Sequence, residues 1–414
     1  MPLSIYPTTA NTLQFTGNST LLWEGTLNSS TSASQTVNVP NNGPVFVYGG
    51  TSTGVTATIN GQSTTAANAI NVIIPGAGSY TATVNSNGST NFGNNVTYFQ
   101  RGVYYWKVAY ANGIYAAAAV NGNNSYGSYS IGVTTWNNMT MPYSTYWYMT
   151  GGNGYFVAIG GAGGNNNQVA YGTNGYTWSA TTNATTNYWT DIIYGNPGGT
   201  PTFVAVAGYN TWGGTSSTNV ASYTQNNGAS WATSTMPYST CWHTVQYGNG
   251  IFMAIAGGEY TSTPYVATTS NGYTWTGNAN LPSYLWGGLT YTPATNYWTA
   301  MTTNNQQVGA YSNNNGASWT QFTTPWNAYY EQGTNGNGWS LMTAYNNQQG
   351  YNYSNNGYSW TAVSTSYQCV GIAFGNSYFV MSPNGNQSYS QYASATTGLP
   401  ASFAIWSGPN DNVY

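Results

Sequence analysis

The segment Asn227-Gly228-Ala229-Ser230-Trp231 is one of five copies of the pentapeptide Asn-Gly-[Tyr/Ala]-[Thr/Ser]-Trp in this chain. Successive copies are 53, 44, 44 and 41 residues apart, counted from tryptophan to tryptophan. A period in the low forties with one strand–turn–strand pattern per unit is typical of the blades of a β-propeller. The copies end at the following residues: Trp178, Trp231, Trp275, Trp319 and Trp360.

Each repeat opens with an aromatic residue and an apolar strand, which a turn connects to a second apolar strand. Clear openings include Trp189–Tyr194 and Trp242–Tyr247, and a weaker one starts at Cys369. Seven such openings predict seven blades of four strands over residues 99–414. Six blades is the alternative, because the last unit lacks the tryptophan pattern. A degenerate copy of the pentapeptide, Gly132-Val133-Thr134-Thr135-Trp136, precedes the five clear ones.

Residues 1–98 lack the tryptophan repeat and have a different pattern. They carry short alternating segments such as Val55–Ile59 and Tyr80–Val84, with turn residues at Asn60-Gly61. Short strands at roughly ten-residue spacing predict a small β-sandwich or jelly roll. The sequence therefore predicts an all-β chain, with an N-terminal β-sandwich followed by a seven-bladed (alternative six-bladed) β-propeller.

The repeat resembles the Asp-box of sialidase-type propellers, Ser-x-Asp-x-Gly-x-Thr-Trp. Thr224–Trp231 and Ser312–Trp319 match it with Asn at the Asp position, and Asn355, Ser270 and Thr173 align there in the other copies. The resemblance implies a structural hairpin turn at the blade periphery, away from the active face. Glycine supplies a positive φ, the asparagine side chain caps the turn, and the tryptophan packs between sheets. We therefore expect the five tryptophans to be scaffold residues.

Composition excludes several classes of partner. Charged residues make up 2% of the 414 residues, whereas about 25% is usual for a soluble domain. Two basic residues cannot neutralise a phosphate backbone, and no run approaches the roughly eighteen apolar residues of a membrane helix. We expect no nucleic-acid partner and no membrane insertion. Tyrosine and cysteine aside, the ionisable residues are Glu24, Arg101, Lys107, Asp191, His243, Glu259, Glu331 and Asp411.

The sequence predicts no metal and no cofactor. Cys241 and Cys369 are the only cysteines, and His243 is the only histidine, a set too small for a zinc site. The two cysteines fall in non-adjacent repeats, so we expect two buried thiols rather than a disulfide.

Aligning the repeat openings places four ionisable residues within two positions of one strand. Lys107 and Asp191 share one register, and His243 and Glu331 share the register just before it. We expect all four to ring one mouth of the central channel. Two interpretations stay open: a polar ligand or ion site, because isolated buried charges are unfavourable, and structural pairing, for instance of Lys107 with Asp191 or Glu331.

The loops that lead into the inner strands lie on the face that usually carries a propeller's binding site. They contain Tyr143, Tyr238 and Tyr284, next to Pro, Ser and Thr. Sugars offer apolar ring faces that stack on aromatic rings and hydroxyls that pair with polar side chains. The sequence predicts that these three tyrosines contact a ligand; packing between blades is the alternative, favoured for the tryptophans that begin the inner strands.

Enzymatic chemistry is not expected. Sialidases need an arginine triad, and Arg101 is the only arginine. Other glycosidases need two carboxylates about 5–10 Å apart. Asp191 and Glu331 lie three blades apart in the alignment, and Glu259 has no evident carboxylate partner. We therefore predict no catalytic residue, with a degenerate glycosidase as an alternative.

Layout and composition resemble those of bacteriophage virion surface proteins, such as tail fibres, receptor-binding proteins and capsid decoration proteins. The start of the chain also lacks the pattern of a signal peptide, Asn, Gly, Ser, Thr and Tyr are abundant, and a β domain precedes a repeat module. We expect residues 1–98 to dock to other virion proteins and residues 99–414 to bind cell-surface polysaccharide. A purely structural coat or appendage protein is an alternative, as is an extracellular location, and self-association stays open.

Overall fold

The structure is a computed structural model in which the chain divides into two compact units. One comprises Met1–Tyr104, Gly385–Ser388 and Ser407–Tyr414, and the other comprises Tyr105–Asn384 and Tyr389–Trp406. The described residues are 4–8, 12–16, 20–26, 32–39, 45–48, 55–59, 61–66, 70–73, 78–86, 95–100, 105–119, 125–131, 137–161, 166–211, 214–258, 262, 264–346, 350–364, 368–376, 378–383, 389–394 and 403–407.

The described residues of the first unit form ten strands: β1 Ser4–Thr8, β2 Thr12–Thr16, β3 Thr20–Thr26, β4 Ser32–Val39, β5 Val45–Tyr48, β6 Val55–Ile59, β7 Gln62–Ala66, β8 Ile70–Ile73, β9 Gly78–Ser86 and β10 Asn95–Gln100. They form the hairpin β1-β2 and two four-stranded antiparallel sheets, ordered β3-β10-β5-β8 and β4-β9-β6-β7. The packing of these two sheets into a sandwich stays a prediction.

The second unit is a succession of four-stranded antiparallel sheets. Its strands are β11 Tyr105–Ala111, β12 Ile114–Ala119, β13 Tyr126–Ser130, β14 Asn137–Thr140, β15 Trp147–Gly152, β16 Tyr155–Gly160, β17 Asn166–Gly172, β18 Ser179–Asn187, β19 Trp189–Gly195, β20 Thr202–Ala207, β21 Tyr209–Thr211, β22 Gly214–Ser216, β23 Thr218–Thr224, β24 Ala232–Thr240, β25 Trp242–Gly248, β26 Ile251–Ala256, β27 Val266–Thr269, β28 Thr276–Asn278, β29 Trp286–Thr292, β30 Tyr297–Thr302, β31 Val308–Ser312, β32 Thr320–Thr323, β33 Tyr329–Gly336, β34 Trp339–Tyr345, β35 Gly350–Ser354, β36 Thr361–Ser364, β37 Cys369–Gly375, β38 Tyr378–Pro383, β39 Tyr389–Ser394 and β40 Phe403–Ser407. A 3-10 helix, Pro197–Gly199, lies between β19 and β20.

Each sheet runs up and down in chain order, as a propeller blade does. Blade 1 is β11–β14, blade 2 is β15–β18, blade 4 is β25–β28, blade 5 is β29–β32 and blade 6 is β33–β36. Blade 3 is β19-β20-β23-β24, with the hairpin β21-β22 inserted. The all-β class and the β-propeller are confirmed, with six blades, the alternative count, over β11–β36. Strands β37–β40 form one further four-stranded sheet, and the count of seven stays a prediction.

The second strand of each blade is buried along its length because sheets cover both of its faces. Thr202–Ala207 is buried at every position, and Phe156–Gly160 is buried in the same way. Runs of small and β-branched residues suit such two-sided burial. Four tryptophans that begin inner strands are completely buried, as the alternative of packing between blades predicts: Trp147, Trp189, Trp242 and Trp286.

The repeated turn joins the third and fourth strands of a blade. In blade 3, Asn226 Oδ1 accepts hydrogen bonds from the Ser230 amide at 3.0 Å and the Thr224 hydroxyl at 2.7 Å. Gly228 has a φ of 94°, and its carbonyl accepts a hydrogen bond from Trp231 Nε1 at 3.2 Å. The Trp231 ring packs among buried residues of blades 2 and 3. Each turn therefore fastens its own hairpin, and its tryptophan fills the space beside the preceding blade.

Three positions in the repeat alignment are corrected. The side chain that caps the turn is Asn174, Asn271 and Asn356 in blades 2, 4 and 6, one residue after Thr173, Ser270 and Asn355. These turns are one residue shorter between the capping asparagine and the tryptophan than those of blades 3 and 5. In these three blades the capping asparagine is therefore the residue directly before the glycine of positive φ.

The degenerate pentapeptide Gly132–Trp136 lies outside the described residues, as do Arg101, Glu259 and Asp411. Among the described residues, no helix combines the length and apolar character required to cross a membrane.

Neighbouring inner strands meet through a glycine on one strand and an aromatic ring on the next. A Cβ atom on Gly248 would overlap the ring of Tyr291 in the following blade. The same relation joins four other pairs: Gly152 with Tyr194, Gly195 with Tyr247, Gly336 with Phe374, and Gly375 with Tyr110.

The exceptions follow the same rule. The inner strands of blades 1 and 5 end in Ala111 and Thr292, and the residues at the aromatic position of the blades after them are Gly151 and Asn335. A side chain is therefore present at the strand end only where the neighbour presents no ring.

We expect Gly248→Ala to destabilise the protein by about 1–3 kcal/mol, because the new methyl group must displace the Tyr291 ring. In a Tyr291→Ala background the same substitution should have a smaller effect, since the ring is gone. Urea unfolding of the wild type, the two single variants and the double variant measures this coupling. Equal effects of Gly248→Ala in both backgrounds would contradict the packing described here.

Candidate functional site

A β-bulge near the start of the inner strand sets the direction of the polar side chains. The register of the first two strands shifts between Trp189 and Asp191, and between Trp242 and Thr244. Such a shift also occurs in β11, β29, β33 and β37. A bulge inserts an extra residue and re-aims the neighbouring side chains. His243 and Glu331 lie in bulges, and Lys107 and Asp191 directly follow them, which explains the two registers in the sequence.

Lys107 and Asp191 form a buried ion pair between blades 1 and 3. Lys107 Nζ lies 3.6 Å from Asp191 Oδ1, and the two side chains are 4% and 5% exposed. The ammonium group also lies 5.2 Å from the centre of the Tyr148 ring of blade 2, within range of a cation–π interaction. The other carboxylate oxygen, Asp191 Oδ2, accepts hydrogen bonds from the Thr244 hydroxyl at 2.8 Å and the Val245 amide at 3.1 Å. The pair thereby connects four successive blades.

His243 and Glu331 form the second pair, between blades 4 and 6. His243 Nε2 lies 3.6 Å from Glu331 Oε1, and the side chains are 16% and 11% exposed. Burial by itself lowers the pKa of His243. The opposing effects are led by the charge of Glu331, and the pKa of His243 ends above its ordinary value. The charges of Lys107 and Asp191 act on His243 in opposite directions, so the two pairs are electrostatically connected.

Blade 5, which lies between the blades of His243 and Glu331, has glycine at the positions that correspond to the bulge of blade 4. Gly287 and Gly288 of blade 5 align with His243 and Thr244 of blade 4. A Cβ atom on Gly287 would overlap the backbone carbonyl of Tyr330. Blade 5 therefore contributes no side chain at the height where His243 and Glu331 meet.

Uncharged amides extend this network, and the sequence analysis missed them. Gln246 Nε2 donates to the Gly333 carbonyl at 3.2 Å, which joins blades 4 and 6. Gln332 Oε1 accepts from the Ile372 amide at 3.1 Å, which joins blade 6 to the sheet after it. Both glutamines are buried, and their strands also carry other polar residues, so the sequence offers no clear signal that would have identified them.

The four predicted residues are thus brought together in two pairs. Each carboxylate faces a basic side chain from another blade, the arrangement expected of structural pairing. A direct ligand role for Lys107, Asp191, His243 and Glu331 stays a prediction. In the described part of the chain, no three side chains of the His, Cys, Asp and Glu types are grouped as a metal site requires. Cys241 and Cys369 are buried thiols outside any disulfide.

The three tyrosines predicted to contact a ligand are partly buried against other aromatic rings, and Tyr238 lies in strand β24 rather than in a loop. Tyr143 stacks on Trp147 with ring centres 6.4 Å apart, and the Tyr143 carbonyl accepts a hydrogen bond from that indole. Tyr238 stacks on Tyr265 at 4.2 Å, and Tyr284 lies edge-on to Trp286 at 5.9 Å. These contacts hold the three rings in place, and ligand contact by these tyrosines stays a prediction.

More exposed rings lie in the repeat itself. Tyr176, Tyr273 and Tyr358 are 43%, 43% and 46% exposed, and they follow the glycine of the pentapeptide in blades 2, 4 and 6. They occupy the third position of the pentapeptide, where Tyr alternates with Ala along the chain and for which the repeat pattern predicted no role.

Comparisons with known proteins identify the fold and no family. No protein-family profile and no curated protein matches the chain. A structure of YCF48 bound to a D1 peptide is similar, with a TM-score of 0.50 and 12% identity over 69% of this chain and 90% of that one. YCF48 from Cyanidioschyzon merolae has a TM-score of 0.49 with 11% identity, over 69% of this chain and 94% of that chain. The likeness extends to the fold alone.

We expect Lys107→Met to destabilise the protein by about 3 kcal/mol or more, because it leaves the Asp191 carboxylate buried without its cation. Adding Asp191→Asn to that variant should recover part of the loss, since the amide oxygen can still accept from Thr244 and Val245. Urea unfolding of the single and double variants provides the measurement. A double variant as unstable as the sum of the two single variants would contradict a coupled pair.

The His243–Glu331 pair predicts a pH dependence of stability. Because the pKa of His243 is raised in the folded protein, its contribution is complete below the unfolded-state pKa of about 6.5 and is lost as pH rises through the folded-state value. We expect the urea midpoint to fall over that window in the wild type and less steeply in His243→Gln. Identical slopes for the two proteins would show that another group titrates.

Proposed function

We propose that the chain is a non-enzymatic virion surface protein whose propeller attaches to neutral cell-surface glycan. The observation that carries this proposal is the distribution of charge. Among the residues whose side chains the structure describes, the lysine, histidine and acidic residues are the two pairs of the channel. The remaining described propeller surface is rich in hydroxyls, amides and exposed tyrosines. Such a surface suits an uncharged, hydroxyl-rich ligand with apolar ring faces.

The same pairs support the proposal that the chain has no catalytic role. A glycosidase needs one carboxyl group that can donate a proton and a second, ionised one, on opposite sides of a sugar bond. Asp191 instead accepts two hydrogen bonds and faces Lys107, while Glu331 faces His243. Each carboxylate is held by a different partner, so the two do not form one acid–base site.

We propose that β37–β40 are a seventh blade, because the Gly375–Tyr110 contact between β37 and β11 repeats the contact at the other inner-strand seams. The Tyr115 hydroxyl adds hydrogen bonds to the carbonyls of Gly375 and Tyr378, at 2.5 and 3.0 Å. We further propose that the repeat is a degenerate Asp-box, and that the two N-terminal sheets form a sandwich that docks to other virion proteins.

A polysaccharide array tests the attachment function. We expect the full-length protein to be retained on neutral polysaccharides from host cell surfaces without releasing reducing ends. Reducing-sugar release that disappears in Glu331→Gln would identify a weak glycosidase instead. No retention on any polysaccharide would favour a purely structural coat protein and overturn the attachment proposal.

A further inference from the structure

The exposed tyrosines of the repeat occur at every second blade. Tyr176, Tyr273 and Tyr358 belong to blades 2, 4 and 6, and blades 3 and 5 have Ala229 and Ala317 at that position. The alternation coincides with the turn length, because the tyrosines occur in the shorter turns. Blades thus alternate in two types, and a feature restricted to one type recurs three times in the described propeller.

Each exposed tyrosine rests on a tyrosine from the end of the third strand of the preceding blade. Tyr176 lies against Tyr129 with ring centres 4.6 Å apart and an angle of 35° between the rings. Tyr273 lies against Tyr223 at 5.1 Å and 34°. The two sites are near copies of each other, because a partly buried ring supports one that is nearly half exposed.

The third site has a supporting tyrosine at the equivalent position and one additional ring. Tyr358 lies 5.8 Å from Tyr311, and it also lies 5.4 Å from Tyr297. Tyr311 belongs to the third strand of blade 5, as Tyr223 does in blade 3. All three sites therefore occur at the seam between an odd-numbered blade and the next even-numbered one.

The sites lie at the edge of the propeller opposite the charged pairs. The charged residues are near the start of the inner strands, whereas the repeated turns meet the loops at the ends of those strands. Asn112, in the loop after β11, donates to the Thr173 carbonyl in the turn of blade 2 at 2.8 Å. Thr295, in the loop after β29, donates in the same way to the Asn356 carbonyl of blade 6 at 2.9 Å.

The chemistry around these rings is neutral and polar. The residue after each exposed tyrosine bears an exposed hydroxyl: Thr177, Thr274 and Ser359. The capping asparagine lies just before the glycine and fixes the turn through its side-chain oxygen. An open aromatic face beside a hydroxyl matches a pyranose ring, which presents axial C–H groups on one face and hydroxyls at its rim.

We infer that Tyr176, Tyr273 and Tyr358, each with its supporting tyrosine, form three equivalent subsites for pyranose rings of a neutral polysaccharide. This inference rests on the proposed glycan attachment and places it at the face opposite the channel charges. A single ring contact is weak. Three on one rigid propeller can engage a polymer together and raise its apparent affinity by about 10²–10⁴ over one site, if the chain spans them.

The test uses the full-length protein and immobilised mannan, dextran and galactan, with a sulfated galactan as the charged counterpart. We expect retention on at least one neutral polymer and weaker retention on the sulfated one. Each of Tyr176→Ala, Tyr273→Ala and Tyr358→Ala should weaken retention several-fold. The triple variant should lose about 100-fold or more. The corresponding triple Tyr→Phe variant keeps the rings and should retain most of the binding, which separates ring stacking from loss of folding.

A gain-of-site pair provides a matched control. Ala229→Tyr places a ring at the turn beside Tyr171, whose Cβ atom is within 3.0 Å of the position for a Cβ atom on Gly228. Ala317→Tyr places a ring at the equivalent turn, where the aligned residue of the preceding blade is Thr268. We expect Ala229→Tyr to increase retention and Ala317→Tyr to leave it near the wild-type level. Equal retention by both variants would argue against a paired-ring subsite.

The remaining outcomes separate this inference from the proposed function. If the triple Tyr→Ala variant binds as the wild type does, the glycan site lies elsewhere and only the inference is overturned. If the wild type binds no polysaccharide, the attachment function is overturned and the inference with it. If the wild type self-associates in sedimentation and the triple variant does not, with no glycan binding, the tyrosines form a contact between copies and both proposals are overturned.

Discussion

The contact between a strand-ending glycine and an aromatic ring of the next blade is the constraint on which the propeller depends. Wherever a ring such as Tyr247 or Tyr291 lies over a neighbouring inner strand, that strand ends in glycine, and alanine or threonine appears only where no ring follows. The inner strands can therefore approach closely while large rings fill the wedge between diverging sheets. Burial of those rings also raises the pKa of Tyr194, Tyr247 and Tyr291.

Charge is used within the same geometry. Removing a lone charge from water is strongly unfavourable, and a buried pair is tolerated when the remaining hydrogen-bonding capacity is also used. Lys107 meets Asp191 across an intervening blade, and the spare oxygen of Asp191 is used by Thr244 and Val245. The bulges aim these side chains at each other. The pairs therefore join distant blades through the channel, and the polar surface around them is left uncharged.

Much of the fold and part of the candidate site could be predicted from the sequence. The spacing of Trp231, Trp275 and Trp319 predicted a β-propeller, because one tryptophan per unit at a period in the low forties indicates a repeated supersecondary structure. The alignment placed Lys107 with Asp191 and His243 with Glu331 in register. It could not choose their partners, because the pairings skip a blade and depend on bulges that one sequence does not reveal. It also misaligned the caps of the shorter turns by one residue.

By itself, the sequence determined the repeat, the all-β class and the scarcity of charge, since these follow from local pattern and composition. Only the tertiary structure decided which residues are exposed. Tyr143 lies in the loop before the inner strand of blade 2, and Tyr176 lies in the repeated turn of the same blade. Tyr143 stacks on Trp147, whereas Tyr176 remains nearly half exposed. The support beneath an exposed ring such as Tyr176 depends on what the preceding blade places there, which is Tyr129. That relation joins positions about forty residues apart or more and arises only when the blades pack.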